Sequence, residues 1–222
     1  FSSEELDRLI SLFHAAEDTA ALTRDFVGQR CCGILVFCDP ALAAEVTGLS
    51  ESEWMFNLNV GPESEVASFL NVMEELVSAS RQPVPVRLKA IRAAITEWKR
   101  ATSNSSGYHT LSLHLVPGLE DTARRDVRGI AEVRCAALAL AVEKYRRERG
   151  ALPRKLDSLL PDYVSDIPID PYDGKPLRYR VMSKGYLLYS IGEDGVDDDG
   201  KKKGESSSDG TPTSDVVFHV DR

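Results

Sequence analysis

Gly150 divides the chain into two stretches of different sequence pattern, and this division limits the folds open to it. Before Gly150, apolar residues recur at helical spacing in several stretches. After it, prolines at positions 153, 161, 168, 171 and 176 exclude another long helix. The stretches "LRYRV", "GYLLYSI" and "DVVFHV" alternate apolar and polar residues, as half-buried strands do. We therefore expect an α+β protein with a mostly helical N-terminal region, a long helix and then a small antiparallel three-stranded sheet.

The region before Gly150 is predicted to form five helices. A capping box of Ser2 and Glu5 starts the first helix. The second ends near Asp39, because the residue before a proline avoids the helical conformation. The remaining helices are expected to begin near Pro62, Pro85 and Leu119, with a loop or short strand over residues 102–118 and the last helix ending at Arg149. We divide the chain into a helical region, residues 1–118, and a second region, residues 119–222.

Composition excludes some classes of function. The 222 residues carry 35 acidic against 27 basic side chains, a net charge of -8, which gives no support to nucleic-acid binding. No apolar run, "GILVF" included, approaches the roughly 20 residues that cross a bilayer. We expect no membrane span in this chain. Because it starts at Phe1, it is compatible with a signal peptide or anchor having been removed.

All four cysteines lie in stretches that are predicted as helix interiors: Cys31, Cys32, Cys38 and Cys135. An even count permits two disulfides. Neighbouring Cys31 and Cys32 point to different helix faces, however, and a chain of this length does not need a covalent link to fold. Buried free thiols are therefore the expected arrangement.

The stretch "YSIGEDGVDDDGKKKG", residues 189–204, concentrates carboxylates and then three lysines. Three interpretations are open. Short carboxylates and exposed carbonyls in a Gly-rich loop suit calcium, which takes six to eight oxygen ligands. The loop is otherwise a solvated surface segment whose charge is neutralised in part by Lys201, Lys202 and Lys203. The third interpretation is the centre of a metal-dependent hydrolase, which requires an open coordination position and a base near a water.

The order of motifs in the second region resembles that of a known family. The stretches in question are "LALAVEKYRRERGALPRKLDSLLP", "IPIDPYDGKPLRYR", "GYLLYSIGEDGVDDDG" and "SDVVF". Over residues 130–220 they resemble the C-terminal part of the major pseudopilin of bacterial type II secretion systems. Matching positions are Asp170, Pro171, Tyr172 and Gly174 in the turn, Ser190, Gly192, Asp194 and Gly195 in the loop, and Asp215 with Val216 at the close. The helical region resembles only uncharacterised bacterial envelope proteins.

The resemblance implies a calcium site in the acidic loop. Matching by motif makes Asp194 and Asp215 the best candidate ligands, with the carbonyl of Ile191 as a third. Pseudopilins carry a further aspartate two positions before the closing one, where this chain has Thr213. Three other loop carboxylates are expected to compensate: Asp197, Asp199 and Asp209.

The resemblance also implies a function and a location. We expect a non-enzymatic, pseudopilin-like protein of the bacterial cell envelope or periplasm, with a structural or interaction role, a structural calcium ion and unidentified protein partners. Two alternatives are a metal-dependent hydrolase that uses the acidic cluster, and a helical adaptor whose acidic loop is solvated and binds no metal. A fold-level resemblance implies architecture more safely than activity.

Overall fold

The chain is mostly helical and ends in a three-stranded antiparallel sheet, which confirms the predicted α+β class. A computed structural model describes residues 2–50, 52–54, 62–103, 110–201 and 215–221. The described helices are α1 (Ser3–Ala16), α2 (Ala21–Cys38), α3 (Pro40–Thr47), α4 (Pro62–Ser80), α5 (Val84–Ser103), α6 (Thr110–Leu115) and α7 (Pro117–Arg149). A 3-10 turn (Leu156–Leu159) follows, and then β1 (Arg178–Met182), β2 (Gly185–Ser190) and β3 (Val216–Val220).

Local hydrogen bonds at helix ends follow from the sequence. The predicted capping box is present at α1, where Glu5 N–H donates to Ser2 Oγ at 3.1 Å and Ser2 N–H donates to the Glu5 carboxylate at 2.5 Å. Asp39 ends α2 and caps α3, because its Oδ1 accepts from the N–H groups of Ala41 and Leu42. Pro40 occupies the first turn of α3, where no backbone donor is needed.

Residues 110–118 depart from the prediction, while residues 104–109 lie outside the described residues. They contain the short helix α6 where a loop or strand was expected, and α7 begins at Pro117 rather than Leu119. A distant residue stabilises this helix: the buried Glu65 of α4 accepts a hydrogen bond from Ser112 N–H in the first turn of α6 at 3.0 Å. Burial raises the pKa of Glu65, while hydrogen bonds from the backbone of Ser112 and Leu111 oppose that shift. A helix start that depends on a side chain so far away in sequence leaves no local signal.

The described contacts divide the chain into two compact units. We call residues 1–19 together with 127–222 the C-terminal unit, and residues 20–126 the helical unit. This grouping differs from the predicted division at residue 118, because α1 belongs to the same unit as the C-terminal residues. In the C-terminal unit, Ile10 of α1 joins the core and Lys144 of α7 pairs with Asp7 at 2.6 Å.

The sheet of the C-terminal unit has the strand order β1-β2-β3, and all its pairs are antiparallel. Ser183 and Lys184 form a two-residue connection between β1 and β2, as expected for a hairpin, and Met182 pairs with Gly185. The sheet packs on α7, where Tyr186 Oη donates to the carbonyl of Ala139 at 3.2 Å. Buried residues of this core are Ile10, Cys135, Leu138, Ala139, Ala141, Val142, Leu156, Leu159, Tyr163, Val164, Leu177, Tyr186 and Leu188.

The helical unit packs its helices around aromatic side chains. Phe37 and Phe69 lie with ring centroids 5.4 Å apart. Gly33 permits this approach, since a Cβ there would lie 2.1 Å from Cζ of Phe69. Trp54 donates from Nε1 to the carbonyl of Val36 at 3.1 Å and is buried. Gly33 therefore allows α2 to pack closely against α4.

Two further expectations from the sequence can be compared with the described residues. None of the described helices combines the length and apolar character that crossing a bilayer requires. The expectation of buried thiols is wrong for three of the four cysteines: Cys135 is buried, whereas Cys31, Cys32 and Cys38 are free and exposed. Their helix has apolar residues all around it, so the sequence pattern alone does not identify its inner face.

Candidate metal site

Asp170 organises the turn that leads into the sheet. Its side chain is fully buried and accepts four hydrogen bonds. Oδ1 accepts from Tyr172 N–H at 2.9 Å and from Ser190 Oγ at 2.8 Å. Oδ2 accepts from Ile191 N–H at 2.9 Å and from Arg178 Nη1 at 2.5 Å. The carboxylate thus joins the proline-rich turn to the residue where β2 ends and the acidic loop begins.

Arg178 extends this network toward the acidic loop. Its guanidinium contacts Asp170 and Asp173, each at 2.5 Å, and its Nε lies 3.7 Å from Asp197 Oδ2. Burial raises the pKa of Asp173, but hydrogen bonds from Arg178 and from Lys175 N–H outweigh it and hold that pKa below its usual value. The turn depends on Gly174, whose φ of +73° confirms the predicted left-handed conformation.

The acidic loop folds back over the outer face of the sheet. Arg180 Nη2 donates to the carbonyl of Asp199 at 3.0 Å, and Gly200 lies against the side chains of Leu187 and Tyr189. A Cβ on Gly200 would lie 2.5 Å from Cδ2 of Leu187. Every residue of β2 is consequently buried, so the predicted half-buried alternation is wrong for this strand. One of its faces packs on the core of α7 and the other lies beneath the loop.

Asp215 joins the far end of the acidic segment to this loop. It is 3% exposed, and its Oδ2 accepts a hydrogen bond from Gly200 N–H at 2.9 Å. Its Oδ1 is buried, and no described residue donates a hydrogen bond to it. The pKa of Asp215 is raised to about 7, mainly by burial and also by the charges of Asp198, Asp197 and Asp194, while the hydrogen bond from Gly200 opposes the shift.

The predicted ligands occupy different environments. Asp194 and Asp197 are exposed, and each accepts a hydrogen bond from the backbone two residues later, at Val196 N–H and Asp199 N–H. Asp199 is exposed, with its carboxylate 3.7 Å from Arg180. Ile191 is buried and its N–H is bound to Asp170. Asp209 lies outside the described residues, as does Thr213.

Asp194 and Asp197 act on Asp215 through their charges, which contribute to its raised pKa. Within the described ranges, no group of three or more His, Cys, Asp or Glu side chains is arranged to hold a metal ion. A calcium site here therefore has to draw on backbone carbonyls as well as carboxylates, which calcium accepts readily.

Sequence reasoning missed the residues that position this loop. Asp170 was identified as part of a turn, but not as the buried acceptor that holds Ser190 and Ile191. The arginines of β1 were not identified at all, although they lie beside the acidic loop residues: Arg178 near Asp197 and Arg180 near Asp199. Their alternate spacing on one strand face was the available signal, since residues two apart point the same way. Lys202 and Lys203 lie outside the described residues.

Comparisons with known proteins found no match to this chain. Neither protein-family models, nor curated proteins, nor solved structures match the chain. The resemblance to the major pseudopilin therefore stays a prediction from the motifs.

Proposed function

We propose that this chain is a non-enzymatic, pseudopilin-like protein of the bacterial cell envelope, with a structural or interaction role, in which a calcium ion closes the acidic loop at its base. The ordered motifs of residues 130–220 support the architectural part of this proposal. The observation that carries the calcium part is the buried Oδ1 of Asp215, which has no hydrogen-bond donor among the described residues.

Leaving a buried carboxylate oxygen without a partner costs about 1 to 3 kcal/mol, and more when the group is charged. A cation bound at Oδ1 removes that cost and offsets the repulsion from neighbouring aspartates. The proposed ligand types suit calcium: Asp215 and Asp194 would offer carboxylate oxygens, and Ile191 would offer a carbonyl. Asp197 and Asp199 lie beside arginines, so we assign them to fixing the loop rather than to the ion.

Hydrogen bonds within the chain would hold the residues of the site in place for the ion. Asp170 holds the N–H of Ile191 and the hydroxyl of Ser190, which fixes the start of the loop. Gly200 N–H holds Oδ2 of Asp215, which fixes the orientation of the carboxylate. A calcium ion would supply positive charge between these two fixed points. The role of the ion is then structural, since it joins the end of β2 to the start of β3.

Thermal unfolding in chelator and in calcium tests this proposal. A ligand that binds only the folded state stabilises it by about 2.7 kcal/mol at a concentration one hundred times its Kd. We expect calcium to raise the Tm of the wild-type chain and to leave Asp215→Asn unchanged. Asp166→Asn, which changes an exposed aspartate of the same unit, is the matched control and should respond like wild type. Identical melting curves for the wild-type chain in chelator and in calcium would reject the calcium site.

A further inference from the structure

The helical unit contains an apolar cavity of about 360 Å³ between its helices. Residues of α2, α3, α4, α6 and α7 surround it, so it is a recess within the helix packing and not the outer face of one helix. Protein interiors are close-packed, and voids larger than a water molecule are few in any one domain. Small-molecule sites have volumes of about 300 to 1,000 Å³. The volume of this cavity therefore lies in the range of a ligand site.

The floor of the cavity consists of buried residues. It is lined by Gly33 and Val36 of α2, Phe69 and Met73 of α4, and Leu119 of α7, all of which are buried. Because Gly33 has no Cβ, the ring of Phe69 lies directly against α2. These residues belong to the packed core of the unit, so the floor is present before any ligand binds, as is usual for small-molecule sites.

The rim of the cavity is exposed, so a ligand has a way in. Leu35 of α2 is 56% exposed and Val46 of α3 is 53% exposed. Gln29 and Cys32 of α2 line the same cavity and are exposed as well. The recess thus leads from solvent at the edges of α2 and α3 to the buried ring of Phe69. Binding would not require the unit to unfold.

The lining limits the ligand to apolar chemistry. Within the described residues no charged side chain lines the cavity, and the polar side chains that line it are those of Gln29 and Cys32. A charged group carried into such a site would lose its hydration without gaining a partner, which is costly. By contrast, an apolar cavity of roughly 150 Å³ stays dry and binds benzene. A cavity of about 360 Å³ therefore suits a larger uncharged group, such as a two-ring aromatic system or an alkyl chain.

We propose that this cavity binds a small apolar molecule, with an aromatic ring system or an alkyl chain packed against Phe69 and Met73. The side chain of Met73 is flexible and polarisable, so it adapts to ligands of different shape and contacts rings favourably. The amide of Gln29 at the rim can form a hydrogen bond with one polar group of the ligand. The proposal goes beyond the function proposed above and does not depend on it, because the cavity lies in the helical unit and the acidic loop in the C-terminal unit.

Calorimetric titration of the full, reduced chain with β-naphthol and with n-octanol tests the cavity. The first probe has two fused rings and the second an alkyl chain, and both carry a single hydroxyl group and no charge at neutral pH. We expect saturable binding of one molecule per wild-type chain. Binding of β-naphthol alone would assign the site to rings, and binding of n-octanol alone would assign it to alkyl chains. No saturable binding of either probe would overturn the proposal.

Alkylation of Cys32 tests the location of the bound probe. One chain keeps Cys32 and carries Cys31→Ser with Cys38→Ser. The matched control keeps Cys31 and carries Cys32→Ser with Cys38→Ser, and Cys135, which is buried in the other unit, stays in both. N-benzylmaleimide at Cys32 places a ring at the cavity, so the modified chain should lose binding. The control chain, modified at a residue that does not line the cavity, should keep it.

Ligand protection makes the same comparison on chains that have not yet been modified. A saturating concentration of the probe that binds should slow the reaction of Cys32 with N-benzylmaleimide. It should leave the rate at Cys31 unchanged, although Cys31 is the neighbouring residue on the same helix and is also exposed. Circular dichroism confirms that each chain is folded. Equal rates at Cys32 with and without the probe, or binding that survives alkylation of Cys32, would overturn the proposal.

Discussion

At the scale of single residues, the C-terminal unit depends on two buried carboxylates in opposite states. Asp170 has four donors around it, including the guanidinium of Arg178. Asp215 has one donor at Oδ2 and none from the described residues at Oδ1. A fully bonded buried carboxylate specifies local geometry, whereas a partly bonded one leaves capacity for a further partner. Asp170 therefore fixes the fold of the turn, and Asp215 marks the candidate site.

Asp170→Ala should strongly destabilise the C-terminal unit. The substitution removes an acceptor from four donors and leaves Arg178, only 17% exposed at its side chain, with Asp173 as its remaining close carboxylate. Breaking a buried ion pair in this way costs about 3 to 5 kcal/mol. Urea unfolding measures the loss, and Asp166→Ala, an exposed control, should stay within about 0.5 kcal/mol of wild type. A loss below about 1 kcal/mol for Asp170→Ala would show that the network is dispensable.

Asp215 predicts a pH dependence of stability in the presence of a chelator. Its pKa in the folded chain is about 7, mainly because of burial, and lies above the ordinary value for an aspartate. The folded chain therefore keeps a proton that the unfolded chain releases at lower pH. The resulting contribution to stability is fully present below about pH 4, where the carboxyl is protonated in both states, and is lost as pH rises through about 7.

Urea unfolding of the wild-type chain and of Asp215→Asn, measured between about pH 4 and pH 8, tests this dependence. The wild-type chain should lose more stability than Asp215→Asn over that interval, because asparagine does not titrate. Parallel curves for the two proteins would mean that Asp215 ionises normally in the folded chain.

At the scale of helices and strands, the sequence predicts features that depend on neighbouring residues but not features that depend on distant contacts. The capping box of α1, the end of α2 before Pro40 and the Ser183-Lys184 connection are local, so the sequence predicts them, whereas helix α3 after Pro40 was not predicted. The short helix α6 is not predictable in this way, because its first turn is bound by Glu65, which lies on another helix. Burial of both faces of β2 is equally non-local, since it depends on the loop that returns over Leu187 and Tyr189.

The same limit applies to the candidate site. The motif match predicts Asp194 and Asp215 as ligands, and this stays a prediction. The contacts of Arg178 and Arg180 with the loop arise only after β1 and the loop meet. The sequence also does not identify the inner face of α2, because apolar residues surround that helix. For this reason the burial of three cysteines was wrongly predicted.

Two glycines of α2 should respond oppositely to alanine. At Gly33 a Cβ would lie 2.1 Å from the ring of Phe69, and overpacking of this kind typically costs about 1 to 3 kcal/mol. At Gly28 nothing lies within 4 Å of a Cβ, so alanine should be neutral or stabilising by up to about 1 kcal/mol through helix propensity. Thermal unfolding of the two variants makes the comparison. Equal effects at both positions would contradict the close contact of α2 with α4.

At the scale of the whole molecule, the C-terminal unit draws on both ends of the chain. Residues 1–19 belong to it together with residues 127–222, and Ile10 of α1 shares its core with Tyr186 and Leu188 of β2. A calcium ion at Asp215 would therefore stabilise more than one loop. Its effect should extend to α1, because the unit has one continuous core and cooperative units open together. The helical unit, residues 20–126, is not expected to respond to calcium.

Equilibrium calcium binding, measured by isothermal titration calorimetry, tests the central claim most directly. We predict one calcium ion per wild-type chain and loss of binding in both Asp215→Asn and Asp194→Asn. The double variant should lose no more than either single variant, since residues that act on one site are not additive. Asp166→Asn should bind as wild type does. Unchanged binding in both single variants, or no binding by the wild-type chain, would contradict a calcium ion at the base of the acidic loop.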